Sequence, residues 1–285
     1  MELTSEKIIK EILLKYDIKP LKGLGQNFLI DRAILNKIVA SAEPGPDDTV
    51  LEIGPGIGTL TQELAKTAKK VVAVEKDKKM CEILKETIKN SNVKIINGDI
   101  LRLNNFKLIS NFKFQISNYK VVANLPYYIS SPVIRKFLEA EKQPELMVLM
   151  LQKEVAQRIT AKPPRMSLLS VSVQFYARPE IISYVSKNSF WPAPKVDSAI
   201  IKITPQKPFK PASLGGSPTS PHLFFEVVKA GFSQPRKQLV NNLSKVLKLN
   251  KEEITAWLHK NNINPNQRAE TLSVKDWINL SRNFK

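Results

Sequence analysis

The chain has 285 residues, 42% of them hydrophobic, which is enough for one large domain plus a small one and excludes wholesale disorder. Its single cysteine, Cys81, excludes an intrachain disulfide and a zinc cluster, and no catalytic metal is expected. A net charge of +18 points to a polyanionic partner, because each neutralised phosphate releases counterions.

The N-terminal residues, Met1-Glu-Leu-Thr-Ser-Glu6, lack a basic region followed by an apolar run. No stretch long enough to span a bilayer is free of charge, so a cytosolic protein without membrane contact is expected. Residues 4–15, with Ile8, Ile12 and Leu13 apolar, predict a short amphipathic helix. The segment Lys19–Leu29 is a loop with enough apolar content to lie against the body of the protein. Asp31 is the expected N-cap of a helix through Ala42.

From Thr49 the code changes. Val50–Ile53, Val71–Val74, Val93–Ile96, Val121–Ala123 and Glu145–Leu151 read as strands, with helices over about 59–66 and 78–89 and on both sides of the fifth strand. That alternation predicts a Rossmann-like α/β fold, a mostly parallel sheet covered on both faces. A helix near Ser167–Tyr176 follows. Ile181–Val185 and Ser198–Ile203 are read as an antiparallel hairpin on the sheet edge. The first domain is therefore assigned to residues 1–205. Residues 206–221, proline-rich with Gly215 and Gly216 adjacent, form a linker, and helices over about 222–232, 236–248, 251–261 and 273–282 form a small all-α domain. The near-duplication Ile109-Ser-Asn-Phe-Lys-Phe and Ile116-Ser-Asn-Tyr-Lys-Val is too short to be a structural repeat and is read as a surface segment.

Four strand ends carry the candidate chemistry. Gly54-Pro-Gly56-Ile-Gly58 follows the first strand and lets backbone approach a ligand closely. Glu75 ends the second strand, 21 residues after Gly54, where a carboxylate can accept both ribose hydroxyls. Asp99, after the third strand, can accept from an adenine amine. The glycines read G-x-G-x-G, and there is no phosphate-binding G-x-x-x-x-G-K-[ST]. The set favours S-adenosylmethionine, leaving S-adenosylhomocysteine as product, over NAD or ATP. Asn124-Leu-Pro-Tyr127 ends the fourth strand. It is either an amide acceptor beside a flat ring, suited to a planar base with an exocyclic amine, or a strand end with a proline turn and two packed tyrosines.

Taken together, Gly23-Leu-Gly-Gln-Asn-Phe-Leu29, Leu51–Gly58, Val74-Glu75, Gly98-Asp-Ile100, Asn124–Tyr127 and Phe190-Trp-Pro-Ala-Pro-Lys-Val-Asp-Ser198 resemble, in this order, the ribosomal RNA adenine dimethylase family. The likeness runs over about residues 19–282 and favours the branch acting on the small subunit. It implies dimethylation of N6 on two adjacent adenosines in 16S rRNA of the small ribosomal subunit. It implies that Asn27 and Leu29 close over the methionine end of the cofactor, that Gly54 and Gly56 lie under it, and that Glu75, Asp99 and Asn124 meet its ribose, its adenine and the methyl donor. The Asn124 oxygen and the Leu125 carbonyl would each accept an N6 hydrogen, Pro126 would stiffen the turn, Tyr127 would stack on the base and Phe190 would cover its other face. The gain would come from position and electrostatic alignment, with no covalent intermediate.

Residues 206–285 carry 13 Lys and Arg against 5 Asp and Glu, while the first 205 carry 31 against 21. The tail is thus the denser basic region, with Arg236, Lys237, Lys245, Lys248 and Arg268 as phosphate-contact candidates. A monomer is expected, since no heptad pattern is present. The alternatives are a large-subunit rRNA dimethylase of the macrolide-resistance type, a non-catalytic RNA-binding assembly factor, and a DNA adenine methylase.

Overall fold

A computed structural model describes residues 1–19, 26–103, 119–206 and 220–284. The segment 109–118 of the near-duplication, Gly23 and Gly25, and most of the expected linker lie outside the described residues. Contacts divide the chain into two compact units, Met1–Ala156 with Pro179–Pro205, and Gln157–Arg178 with Gln206–Lys285.

The first unit is built on a seven-stranded sheet of order β4-β3-β2-β5-β6-β9-β7. Its strands are β2 (Thr49–Ile53), β3 (Lys70–Glu75), β4 (Val93–Asn97), β5 (Tyr119–Asn124), β6 (Leu146–Gln152), β7 (Ala177–Val185) and β9 (Ser198–Pro205). β2, β3, β4, β5 and β6 are joined by parallel pairings, and β9 runs antiparallel to β6. The chain order leaves β2 between β3 and β5, so the strand direction of growth reverses there. In open parallel sheets of this kind, ligands bind outside the carboxyl ends of the strands at that point. A separate two-stranded ribbon pairs β1 (Phe28–Leu29) with β8 (Phe190–Trp191), setting Leu29 opposite Phe190 and Phe28 opposite Trp191.

The near-continuous apolar runs of β2, β3, β5 and β6 follow from burial on both faces. On one side α2 (Arg32–Ala42) and α3 (Thr59–Thr67) bring Leu35, Ile38, Leu60 and Leu64 into a core with Val50, Val122, Val148 and Met150. Another core joins Ile9 and Leu13 of α1 (Glu6–Lys15), Met80 and Ile83 of α4 (Lys78–Thr87), and Phe28 and Ile57. Helix starts are set by side-chain caps. The Asp31 carboxylate accepts from the N–H groups of Ala33 and Ile34, and Asp77 accepts from Lys79. Helix α5 (Ser130–Leu138) follows the turn after β5, and α6 (Lys153–Ile159) follows β6.

The second unit contains α7 (Leu168–Tyr176), α8 (Pro221–Gly231), α9 (Leu239–Leu247), α10 (Lys251–Lys260) and α11 (Val274–Arg282). The four helices expected in the tail are α8 to α11. The division differs from the expected boundary at residue 205, because Gln157–Arg178 packs with the tail. Phe175 stacks on Phe224 with centroids 4.0 Å apart, Met166 and Val171 join the same core, and the Met166 N–H donates to the Glu270 carbonyl at 2.9 Å. By sequence position α7 reads as one more helix of the sheet layer, and only its apolar partners reveal otherwise. Trp277 is fully buried and approaches Gly231 so closely that a Cβ there would lie 2.3 Å from the indole. The buried Asn242 amide donates to the Gly231 and Gln234 carbonyls at 2.7 and 3.0 Å, satisfying the end of α8.

Candidate active site

A cavity of about 390 Å³ opens at the carboxyl ends of β2, β3 and β5, within the size range of small-molecule sites. Its floor is the glycine turn. Gly54, Gly56 and Gly58 all take positive φ, at 66°, 58° and 95°, where a side chain would be strained. The turn is tied to β3 by Gly54 N–H donating to the Val74 carbonyl at 2.9 Å. A Cβ on Gly54 would meet the Pro126 ring at 3.9 Å, so the two turns come into contact in the cavity wall.

Glu75 is 8% exposed and held by backbone, with Oε2 accepting from Gly56 N–H at 3.1 Å and Oε1 from Asp77 N–H at 2.9 Å. Burial pushes its pKa above the ordinary carboxylate value, against those two hydrogen bonds. Asp99 shows the opposite balance. Burial raises its pKa, but the Leu101 N–H at 3.0 Å and the Lys76 ammonium at 3.1 Å outweigh it, and the carboxyl is held below its usual range. The two carboxylates expected for ribose and adenine therefore line one cavity in different electrostatic states.

Asn27 and Leu29 line the same cavity, so the described end of the N-terminal loop, residues 26–29, lies against the sheet end. The Asn124 amide donates to the Asn27 carbonyl at 3.4 Å, which leaves Oδ1 as the acceptor of that side chain. Leu125 N–H donates to the Met150 carbonyl at 3.1 Å, and Pro126 O accepts from Ile129 N–H at 3.1 Å, so the turn between β5 and α5 is pinned at both ends. Asn124 and Pro126 line the cavity, while the Leu125 side chain, 2% exposed, anchors the turn in the core.

Neither aromatic expected beside the base, Tyr127 or Phe190, lines the cavity. Phe190 is 3% exposed, paired with Leu29 and packed in the core beside α2, so its ring is not open to a base in this conformation. The apolar ribbon β1–β8 needs that ring as filling. Tyr127 is half-buried and shares a 2.8 Å hydrogen bond with the Ser198 hydroxyl, and its phenol pKa is raised by burial. The aromatic of this turn that lines the cavity is Tyr128, 55% exposed. Trp191 packs against the core near α1, with the Lys10 ammonium 5.2 Å from its ring centroid.

Sequence reasoning set Glu52 at the ligand end of the first strand but gave it no role. It is 1% exposed, lines the cavity, and its Oε2 has no hydrogen-bond partner among the described residues. Burial pushes its pKa up to about 8, and the Glu75 carboxylate adds to that. The nearby Thr61 hydroxyl favours the charged form, but neither its Oγ1 nor Glu52 Oε2 completes a hydrogen bond. The signal was present: a carboxylate inside Val50-Leu-Glu-Ile53, a strand otherwise apolar at its centre and end, immediately before Gly54.

Of the basic candidates, Arg236, Lys237, Lys245, Lys248 and Arg268 are all exposed. The structure brings some together. Leu239 N–H donates to the Gln267 carbonyl at 2.8 Å, which sets the segment of Arg236 and Lys237 beside that of Arg268. Lys245 and Lys248 lie at the far end of α9, roughly 10 Å or more along its axis at 1.5 Å per residue. Arg268 also faces Glu270, at 3.8 Å.

Comparison with known proteins bears on the same site. The chain is 46% identical over 270 residues to the Ribosomal RNA small subunit methyltransferase A of Dehalococcoides mccartyi, covering 94% of this chain and 89% of that one. It is 41% identical to the protein of the same description in Clostridioides difficile, covering 98% and 96%. Among solved structures, a dimethyladenosine transferase from Plasmodium falciparum superposes with TM-score 0.72 at 28% identity, over 88% of this chain and 95% of that one. The 23S rRNA methyltransferase ErmE gives TM-score 0.70 at 27% identity, over 90% and 99%. The family model described as Ribosomal RNA adenine dimethylase matches residues 17–285, through the N-terminal loop, the four strand ends and the helical tail, and this chain belongs to that family.

Proposed function

We propose that this protein transfers methyl groups from S-adenosylmethionine to N6 of two adjacent adenosines in a hairpin loop near the 3′ end of 16S rRNA, in the small ribosomal subunit. The observation that carries the reading is that Asn124 and Pro126 line one cavity with Glu75 and Asp99. The supporting likeness is at 41 to 46% identity to proteins described as acting on the small subunit. On this reading the protein works in the cytoplasm, as a monomer, and the helical unit holds RNA through Arg236, Lys237, Lys245, Lys248 and Arg268.

The cavity fits the cofactor. It has the volume for a nucleoside ligand, backbone that approaches closely at the positive-φ Gly54 and Gly56, and a buried carboxyl oxygen on Glu52, without a partner among the described residues, that a ligand donor would satisfy. When bound, the cofactor supplies an electrophilic methyl on a sulfonium. Glu75 would hold the ribose, Asp99 the adenine, and Asn27 with Leu29 would cover the methionine end. Asn124 Oδ1 and the Leu125 carbonyl would each accept an N6 hydrogen, which turns the nitrogen lone pair out of the ring plane. Pro126 restricts the turn that aims those acceptors. Tyr127 would stack on the base with its hydroxyl anchored on Ser198. The base must leave its own stack to reach this turn, which is least costly in a loop.

The test is incubation with labelled S-adenosylmethionine and small subunits lacking the modification, followed by nucleoside analysis and primer extension. Label in N6,N6-dimethyladenosine, with stops in small-subunit RNA, is the expected result. Stops in large-subunit RNA would overturn the choice of substrate. Tight subunit binding with no transfer would establish the assembly-factor reading instead.

A further inference from the structure

The edge of the sheet beyond the catalytic turn carries a cluster that the cofactor site does not use. Gln152, the last residue of β6, pairs with Ser198, the first of β9. Lys153 and Asp197 therefore emerge side by side, and Lys153 N–H donates to the Asp197 carbonyl at 3.0 Å. From the next strand over, Lys187 N–H donates to Asp197 Oδ1 at 3.1 Å. The Lys153 ammonium lies 5.2 Å from the centroid of the Tyr184 ring, and Tyr184 is 52% exposed near the end of β7. Lys187 and Lys195 are exposed as well. The cluster is continuous with the catalytic turn, because Ser198, next to Asp197, hydrogen-bonds Tyr127.

A tyrosine on an edge strand with a lysine over it is often only a stable surface pair. Three features here go beyond that. The ring sits at the same end of the sheet as Asn124. The carboxylate in the cluster, Asp197, is engaged by backbone, so it orders the loops from which the lysines project. An exposed ring with one ammonium beside it and further lysines on the adjoining loop is also the kind of surface with which proteins hold unpaired nucleotides, the ring taking a base and the charges taking phosphates.

We propose that Tyr184, Lys153 and Lys187 hold a single-stranded stretch of the substrate RNA beside the target adenine, one unpaired base stacking on Tyr184 and the adjoining phosphates meeting the two lysines. This rests on the reading of the chain as an RNA methyltransferase and adds a binding surface on the catalytic unit itself. From β5 to β7 is three strand spacings, about 14 Å. About four stacked nucleotides at roughly 3.4 Å each cover that distance.

The experiment measures methyl transfer to unmodified small subunits by the full chain, with subunit concentration and then cofactor concentration varied. Tyr184→Ala should raise KM for subunits about tenfold, leaving kcat within about twofold and KM for S-adenosylmethionine unchanged. Tyr184→Phe, which keeps the ring, should behave as wild type. Lys187→Ala should lower the steepness of the salt dependence by about one. A wild-type KM in Tyr184→Ala, or equal losses in Tyr184→Ala and Tyr184→Phe, overturns the stacking surface alone. A wild-type protein inactive on subunits overturns the functional reading, and this surface with it.

Discussion

The cavity at the sheet end and the basic face of the helical unit use polar groups in opposite ways. In the cavity the polar groups are few, largely buried and held by backbone: Glu75 by two N–H groups, Asp99 by Leu101, and Asn124 against the Asn27 carbonyl. On the helical unit Arg236, Lys237, Lys245, Lys248 and Arg268 are exposed side chains in water. A buried, oriented group is costly to place and acts strongly, because little water competes with it. An exposed charge is easily placed and acts weakly, so several must add up. Single substitutions should therefore be severe in the cavity and mild on the helices.

The strongest contrast is expected at Asn124. Asn124→Ala removes the acceptor and its hold on the Asn27 carbonyl. By analogy with removal of one oriented polar group from other active sites, single-turnover methyl transfer should fall by about 100- to 1000-fold. Cofactor affinity, measured by calorimetry, should change far less. A variant that transfers at the wild-type rate would break the comparison at its centre.

Glu52 tests whether burial or pairing rules the cavity. Its folded pKa, about 8, lies above the ordinary 4.5. The folded state thus prefers the proton, and the stabilisation is complete below about pH 4.5 and is lost as pH rises toward 8. At about 1.4 kcal/mol per unit, the ligand-free protein should lose about 2 kcal/mol between pH 6 and pH 7.5 through this group alone. Glu52→Gln, which stays neutral, should lack that part of the pH dependence. Parallel stability curves for the two proteins over that range would show that a partner for the charged carboxylate exists in solution.

Within the helical unit, packing should matter more than any one surface charge. An Ala in place of Gly231 gains about 1 kcal/mol of helix propensity. Its Cβ, however, would lie 2.3 Å from the Trp277 indole, which is buried and unable to yield without shifting α8 or α11. Overpacking of this kind costs about 1 to 3 kcal/mol, so a net loss of about 1 kcal/mol is expected in urea unfolding followed by tryptophan fluorescence. A gain in stability would mean that the indole moves aside freely.

The same contrast explains what could be read from the sequence. The strand ends were legible because a parallel sheet forces Gly54, Glu75, Asp99 and Asn124 to one edge whatever the side chains between them do. The helical tail was legible from its periodicity. The membership of α7 was not, because Val171 and Phe175 look like any sheet-covering face until their partners Phe224 and Val227 are known. Phe190 is a similar case: a proline-rich segment does not disclose its partners, and Phe190 and Trp191 form a strand pair with Phe28 and Leu29 that buries the phenylalanine. Glu52 was left without a role because one charge within an apolar strand does not disclose its burial.

The smallest effect is expected at the exposed cations. Arg236 and Lys237 sit beside the segment of Arg268, which Glu270 partly faces at 3.8 Å. If this group binds phosphates, Lys237→Ala should weaken subunit binding only a few-fold, uniformly across RNA sequences, and lower the slope of log affinity against log salt by about one. Lys245→Ala, at the other end of α9, tests whether the RNA footprint extends along the helix. If it does, the double variant should show a slope lower by about two, the two losses adding because the groups are well separated. If only Lys237 changes the slope, the footprint is confined to the corner where α9 begins. A slope untouched by either variant would move the RNA contacts off this face, and the exposed charge of the helical unit would then serve solubility alone.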